Sequence, residues 1–512
     1  MTSNAAKNDT EQSLGLESEF EPSQWLSKTI EEKGLKKDFV TTYERKKTFR
    51  LICNQVKEEL QSIIIAESVE NDQSSSLINE DSNSDDVWLN RQHQAVIGDK
   101  QAISYFITKI NEVLQKENIT SDEYPSFYDS LPEAIFHEVW GVSILHKWDK
   151  EPNSESAVIR GTELWIDKNG YFQKQPEEFE STAVVNRIKK AFQIRTKEAL
   201  INEQQPELEI EREDGSRITM MMNPRTKLDI IVFRRFVIKN NSLEEQARLG
   251  TIPQDDVPFY RALSRSMANT IFAGRVRSAK TTFMKSMIRE RPPEYTIAVL
   301  EKHFELNLTE DLKDRLIYEV QATEGDLHHA VPRLLRMEHD YITVGEIRSL
   351  ETEGYLQACE RGERGAFSTY HLTAVKNIVA QITRHLLDEF PNRKFDNEQE
   401  RVARNIDLVI SLSAERDRRK KRVIGVTEII WDEIEKKPKE QDLVRYHPIS
   451  RQYYYSSNIS KELLYLMAEE SVEDTKILLN HLKKKEKLFP MSEYERQKDN
   501  ILNDLLDGAL NE

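Results

Sequence analysis

Between Ile271 and Thr282 an apolar run passes into a short loop and then into a helix-forming segment, Ile-Phe-Ala-Gly-Arg-Val-Arg-Ser-Ala-Lys-Thr-Thr. Its spacing, G-x-x-x-x-A-K-T, is one residue away from the phosphate-loop pattern G-x-x-x-x-G-K-[ST]. The apolar strand runs straight into the tight loop, and the helix begins at Lys280. The loop wraps phosphate with backbone N–H groups over Gly274, Arg275, Val276, Arg277, Ser278 and Ala279, and the helix N-terminus adds positive potential. Lys280 is placed to reach the β- and γ-phosphates, the Thr281 hydroxyl to ligate magnesium, and Thr282 follows in the first turn. Ala279 stands where the pattern has glycine, and Arg275 and Arg277 fill positions that are often glycine. A Cβ there restricts the dihedrals and crowds the phosphates. Alanine is the smallest such addition, so the loop is expected to close. The bland alternative is a basic strand-to-helix turn.

Phosphoryl chemistry also needs carboxylates to hold magnesium and to orient water. Glu301 ends the apolar run Thr296 to Leu300, and Glu346 follows Ile342-Thr343-Val344-Gly345. In a parallel sheet the strand C-termini and the phosphate loop share one edge, so both carboxylates are expected to face it. Strand-like and helical runs alternate from Phe259 onward: Thr270 to Ala273, a helix from Lys280, Tyr295 to Glu301, a helix near Val331 to Arg336, and Tyr341 to Val344. That alternation predicts an α/β fold with a mostly parallel sheet. Leu408 to Leu412 and Arg422 to Ile430 read as its last strands, with helix after His447 and a capping-box pattern at Ser492 and Glu495.

The segment Leu334 to Arg348 resembles the Walker B region of the secretion superfamily ATPases, the motors of type II secretion, type IV secretion, conjugation and type IV or tight-adherence pili. Gly365 to His371 is similar to that family's His box, and Thr296 to Leu306 to its Asp box. Gly215-Ser216-Arg217-Ile218 and Ile230 to Phe236 resemble the two arginine motifs of its N-terminal domain. The likeness covers about residues 130–435. It implies a RecA-like P-loop ATPase domain preceded by a smaller α/β (PAS-like) domain, with helical extensions at both ends. It implies ATP and Mg2+ as cofactors, Glu301 as general base or water-orienting group, Glu346 as the Walker B acid and, with Thr281, the metal site. It further implies His371 as γ-phosphate sensor and Arg217 and Arg234 or Arg235 as nucleotide contacts. A homo-oligomeric ring of six, an inner-membrane platform partner and a cytoplasmic location, peripheral to the membrane, come with it. The expected function is an ATPase motor for pilus assembly, conjugation or secretion. A nucleotide-responsive, non-hydrolysing ring subunit is the alternative, and a DNA-directed RecA-like ATPase a third.

The domains expected are an acidic disordered tail at 1–40, a helical region at 41–125 with an acidic linker at 67–86, an α/β domain at 126–255, the ATPase domain at 256–445 and a helical extension at 446–512. Phe49, Ile52, Val56, Leu60 and Ile63 form one helical stripe, and Ile103, Phe106, Ile110 and Val113 another. Glu133 to Leu145 and Val184 to Ile194 read as helices. Leu164 and Ile166 precede a hairpin turn at Asp167 to Gly170, and Ile218 to Met222 and Leu228 to Phe233 read as strands.

A formal charge of −16 argues against direct nucleic-acid binding. Leu228 to Ile238 is too short to span a membrane and contains two arginines. The N-terminus lacks a signal-peptide pattern, and Cys53 and Cys359 cannot build a disulfide framework. His328, His329 and His339 lack metal-ligand spacing. The basic runs at 416–422 and 483–487 read as solvated faces, the first as a turn between two strands.

Overall fold

The computed structural model describes residues 48–62 and 84–510, apart from 121–122, 194–200, 212–215, 236–241, 323–326 and the single positions 303, 349, 363, 373, 416 and 419. The tail expected at 1–40 and nearly all of the linker expected at 67–86 lie outside the described residues. The chain divides into two compact units, Met1–Lys147 with Phe179–Lys197, and Trp148–Glu178 with Glu198–Glu512.

The first unit is helical. Residues 48–62 form a helix that turns Phe49, Ile52, Val56 and Leu60 inward. Helix Lys100–Lys116 buries Phe106, Ile110 and Val113, and Asp99 caps it by accepting from Ala102 N at 2.8 Å. Both stripes meet in one core, as their spacing predicts. The helix expected over Glu133 to Leu145 is instead two pieces, Leu131–Val139 and a 3-10 turn at Ser143–Leu145. Gly141 explains the break: the chain passes so close that a Cβ there would meet His137 Cα at 2.9 Å.

The second unit holds two sheets. The first is antiparallel, in the order β3-β2-β1-β6-β5-β4. Its strands are β1 Ser156–Arg160, β2 Glu163–Lys168, β3 Tyr171–Glu178, β4 Glu207–Glu211, β5 Arg217–Met221 and β6 Ile230–Arg234. Asn169 and Gly170, both at positive φ, make the two-residue turn between β2 and β3. The sequence reading located β2, β5 and β6 and passed over β1 and β4.

The second sheet has the order β15-β14-β13-β12-β7-β11-β10-β8-β9. Its strands are β7 Thr270–Gly274, β8 Ile297–Glu301, β9 Ile317–Gln321, β10 Tyr341–Glu346, β11 Phe367–His371, β12 Leu408–Ala414, β13 Lys421–Asp432, β14 Lys437–His447 and β15 Gln452–Tyr455. From β12 to β9 the pairing is parallel; from β12 to β15 it is antiparallel. Both faces of the parallel part are covered. Ile271 and Ala273 pack to one side and Phe272 to the other, where its ring meets those of Phe283 and Phe367 at centroid distances of 6.2 and 5.0 Å. These contacts fix helix Lys280–Arg289 over β7 and β11.

Three expectations are corrected at the C-terminal side. The sheet does not end near Ile430, because β14 and β15 extend it, and helix resumes only at Lys461. The first half of β14 is Lys-Pro-Lys-Glu-Gln-Asp, too polar and exposed to show alternation; it is held by pairing with β13. Helices Lys461–Glu470 and Val472–Leu488 return Leu463, Met467, Leu478 and Leu482 to the core that contains Phe272. Ser492 lies inside the first turn of helix Met491–Leu510, so it is not the cap. Among the described residues no helix is long and apolar enough to cross a membrane.

Candidate functional site

All five residues of β7 are buried, and the chain leaves the sheet at Gly274 between His371 of β11 and Leu412 of β12. A Cβ on Gly274 would collide with the Leu412 carbonyl oxygen and come within 2.7 Å of Ser278 Oγ. Glycine is therefore a steric requirement at this strand exit. The loop closes as expected, through two left-handed residues, Arg277 (φ 62) and Ala279 (φ 65). Ala279 stands at the N-cap of helix Lys280–Arg289. Left-handed backbone costs an L-residue about 1–2 kcal/mol, and at Ala279 this replaces the glycine of the pattern. Thr281 and Thr282 occupy the first helical turn, partly buried, and Ser278 Oγ is buried without a hydrogen-bond partner among the described residues.

Arg275 and Val276 are exposed. Arg277 turns to the six-stranded sheet, where it donates to Ser156 Oγ at 3.2 Å, lies 3.5 Å from Asp167 Oδ2 and covers the Phe172 ring at 5.0 Å.

A continuous polar chain crosses the C-terminal ends of β7, β11 and β10. Lys280 Nζ donates to the Arg275 carbonyl at 3.2 Å and lies 3.3 Å from His371 Nδ1. His371 Nε2 is 2.9 Å from Glu346 Oε1, and Glu346 Oε2 accepts from Arg348 at 2.6 Å. His371 thus stands between the two, with Nδ1 facing the Lys280 ammonium and Nε2 facing the Glu346 carboxylate. Burial pushes the Lys280 pKa down to about 8; Glu346 opposes that shift, and the charges of Arg234 and Arg348 add to it. For Glu346, burial works upward, but the hydrogen bonds from His371 and Arg348 outweigh it and hold the carboxyl near about 2. A partly desolvated lysine beside two arginines is a cation site that favours an anion.

Glu301 ends β8 and is 4% exposed. Its Oε1 accepts from Leu306 N at 3.0 Å, and it packs so closely on Gly345 that a Cβ there would sit 2.9 Å from Oε1. Gly345 thus makes room for one acidic side chain immediately before the other. Arg217 of β5 pairs with Glu305 in the loop after Glu301, and with Glu209 at 3.0 Å. Arg234 is near enough for its charge to act on Lys280. Arg235 departs from expectation. Its guanidinium donates to the carbonyls of Ser154 (3.0 Å), Trp148 (2.9 Å) and Glu151 and stacks on the Trp148 ring at 4.2 Å, which fastens the segment before β1. Arg348, Glu305 and Gly345 received no role from the sequence. All three lie within motif segments, but only the register of β10 and β8 brings them to the site.

The basic run does form a turn between strands, β12 and β13, but it is not simply solvated. Arg418 covers the Tyr171 ring at 5.3 Å and packs on Gly170, and Lys421 lies 3.9 Å from Glu155. In the second run Lys485 turns inward, 3.4 Å from Asp256.

Residues 168–412 match the family described as Type II/IV secretion system protein. Protein VirB11 of Rhizobium radiobacter is 26% identical over 166 residues, 31% of this chain and 48% of that protein. The probable conjugal transfer protein TrbB of Sinorhizobium fredii is 24% identical over 218 residues, 42% of this chain and 64% of that one. The chain thus spans between about half and two thirds of the length of these relatives. The X-ray structure of the Yersinia pseudotuberculosis ATPase DotB has 14% identity and a TM-score of 0.43, covering 72% of this chain and 89% of that one. Over residues 168–412 this chain is similar to the Type II/IV secretion system proteins, and there Lys280 opens the helix after β7 while Glu301, Glu346 and His371 follow in order at the ends of parallel strands.

Proposed function

We infer that the chain is an ATP-hydrolysing motor subunit that works in pilus assembly, conjugation or type II/IV secretion. The observation that carries this reading is the unbroken chain Lys280–His371–Glu346–Arg348 beside a loop whose helix starts at Lys280. The residues present fit a nucleotide phosphate: a glycine-tight strand exit, a buried Ser278 hydroxyl, a buried lysine and a helix N-terminus that no side chain caps. The nine-stranded sheet with its helices is read as the RecA-like P-loop domain and the six-stranded sheet as the PAS-like one.

Bound Mg-ATP supplies the phosphoanhydride bond and a metal that offsets its charge. Lys280 exchanges its bond to the Arg275 carbonyl for phosphate oxygens. Thr281 and Glu346 hold the metal side, and Glu346 keeps its negative charge because its pKa is held low. His371 stands between Lys280 and Glu346 and senses the terminal phosphate through the same two contacts. Glu301 orients water once the Leu306 N–H releases it. Arg234 adds positive charge, and Arg217 joins the first sheet to the loop after β8, so that a change at the carboxylates is felt in that sheet. A homo-oligomeric ring of six at the cytoplasmic face of the inner membrane, docked on a platform protein, completes the reading.

A nucleotide-responsive ring subunit that does not hydrolyse is the second reading. It is favoured by the left-handed Ala279 and by the engagement of Glu301 with Leu306 N. The test is magnesium-dependent phosphate release by the full chain beside Lys280→Ala and Glu346→Gln. Turnover that vanishes in both, with nucleotide still held by Glu346→Gln, is the expected result. Equal background release in all three proteins, with nucleotide bound by the unsubstituted chain, favours the second reading. Loss of binding in Glu346→Gln counts against the role given to Glu346.

A further inference from the structure

The helical unit contains a second cluster of titratable groups, remote in sequence from the phosphate loop. We propose that Glu133, His137 and His146 form a binding site for a divalent transition metal, with Zn2+ the best match to the donor set. Each residue offers one ligand atom, and the three atoms lie within 4.8 Å of one another. Glu133 and His137 are one helical turn apart on Leu131–Val139 and so share a face. His146 returns to them after the Ser143–Leu145 turn, which Ser143 enters at φ 51.

The geometry is close to that of a metal site. Bonds of about 2.1 Å at tetrahedral angles separate ligand atoms by about 3.4 Å. Glu133 Oε1 and His146 Nε2 are 3.4 Å apart, and the rings of His137 and His146 stack with their centroids 3.9 Å apart, which keeps all three ligand atoms within 4.8 Å. Two nitrogens and a carboxylate oxygen on three residues, with one position left for water, is a zinc donor set rather than one for calcium or magnesium, which favour oxygen.

The surroundings hold these groups in place. Ser130 Oγ accepts from Glu133 N at 3.3 Å, while Glu133 Oε2 accepts from Asp129 N at 2.5 Å. This reciprocal cap fixes the carboxylate and leaves Oε1 directed at His146. Tyr128 stacks at 5.7 Å on each imidazole, and its hydroxyl donates to Glu138 at 2.6 Å. The backbone at Gly141 passes close to His137, so that a Cβ there would come within 2.9 Å of Nδ1. Arg187 donates to the Gly141 carbonyl at 2.7 Å and so holds that turn. Outer contacts of this kind orient ligands and tune their affinity. A bound ion would clip the helix to the segment that follows it.

The test uses the full chain, stripped with a chelator, loaded with Zn2+ and dialysed. One equivalent of Zn2+ per chain is expected, with an X-ray absorption spectrum showing two imidazoles and otherwise oxygen. His137→Gln and His146→Gln should each weaken Zn2+ binding by more than about 100-fold, beyond the usual effect of losing an outer-shell contact. The proposal is overturned if the loaded wild-type protein retains no zinc, or if its spectrum shows one imidazole, as adventitious binding at His371 and Glu346 would. Unchanged affinity in a folded His146→Gln also overturns it. If the variants do not fold, the wild-type spectrum alone decides. None of these readouts depends on nucleotide turnover.

Discussion

Ala279 is the residue on which the phosphate loop turns. Its left-handed backbone costs about 1–2 kcal/mol, against the roughly 0.4–1 kcal/mol of extra chain entropy that glycine would lose on folding. Ala279→Gly is therefore expected to stabilise the protein by about 0.5–1 kcal/mol, read from a denaturant midpoint at unchanged m-value. The same variant reports on function. A large gain in turnover would mean that the natural loop is held back by its Cβ, and no gain that the loop already reaches its working shape. Lys280, Thr281, Glu301, Glu346 and His371 were all legible as single residues, because each sits in a short segment with a recognisable order. Their partners were not legible. Nothing in the string of letters says that Arg348 holds Glu346, or that Arg235 is spent on three carbonyls before β1 while Arg234 next to it acts on Lys280.

Among elements, the phosphate loop and the first sheet are joined by Arg277. Asp167 is buried on β2, and Arg277 is its cationic partner. Removing one partner of a buried ionic contact costs about 1–3 kcal/mol, because the other is left desolvated. Arg277→Ala should destabilise by that amount, and Asp167→Asn in the same chain should recover part of it in a double-mutant cycle. A purely additive cycle would show that the two side chains do not interact. Elements with strong local signals were found from sequence: β2, β5, β7, β8, β10 and the helix from Lys280. β14 was missed because its first half carries no apolar alternation, and β15 because the four residues from Gln452 to Tyr455 are too few to display a period. The break at Gly141 was missed for a different reason. A single glycine is tolerated in a helix, and only the approach of its backbone to His137 makes it a terminus.

For the whole molecule, two partly buried carboxylates contribute to the acid limb of stability. Glu346 and Glu353 are both held near about 2, against an ordinary 4.5; burial pushes each upward, and hydrogen bonds from His371 and Arg348, or from Arg401 and Arg393, outweigh it. A carboxyl with a depressed folded pKa stabilises fully above its unfolded value, and that stability is lost as pH falls through the folded one. The melting temperature should thus fall steeply between about pH 4.5 and pH 2, and Glu353→Gln should flatten that slope while lowering stability at neutral pH. An unchanged slope in the variant would remove Glu353 from the account.

By itself the sequence determined the α/β character of the second half, the strand–loop–helix at Gly274 to Thr282, the order of acidic and histidine residues after it, and the inward stripes of two N-terminal helices. Those features are local: periodicity of 2 or 3.6, turn chemistry and spacing within a dozen residues decide them. The tertiary structure alone decided that β12 and β11 flank β7, that Arg277 and Arg418 grip the first sheet, that the C-terminal helices belong to the main core, and that Glu133, His137 and His146 converge. Each depends on register and on contacts between residues far apart in the chain. Such contacts form because burial and hydrogen bonding across strands outweigh local preference, and they leave no period in the sequence from which to read them.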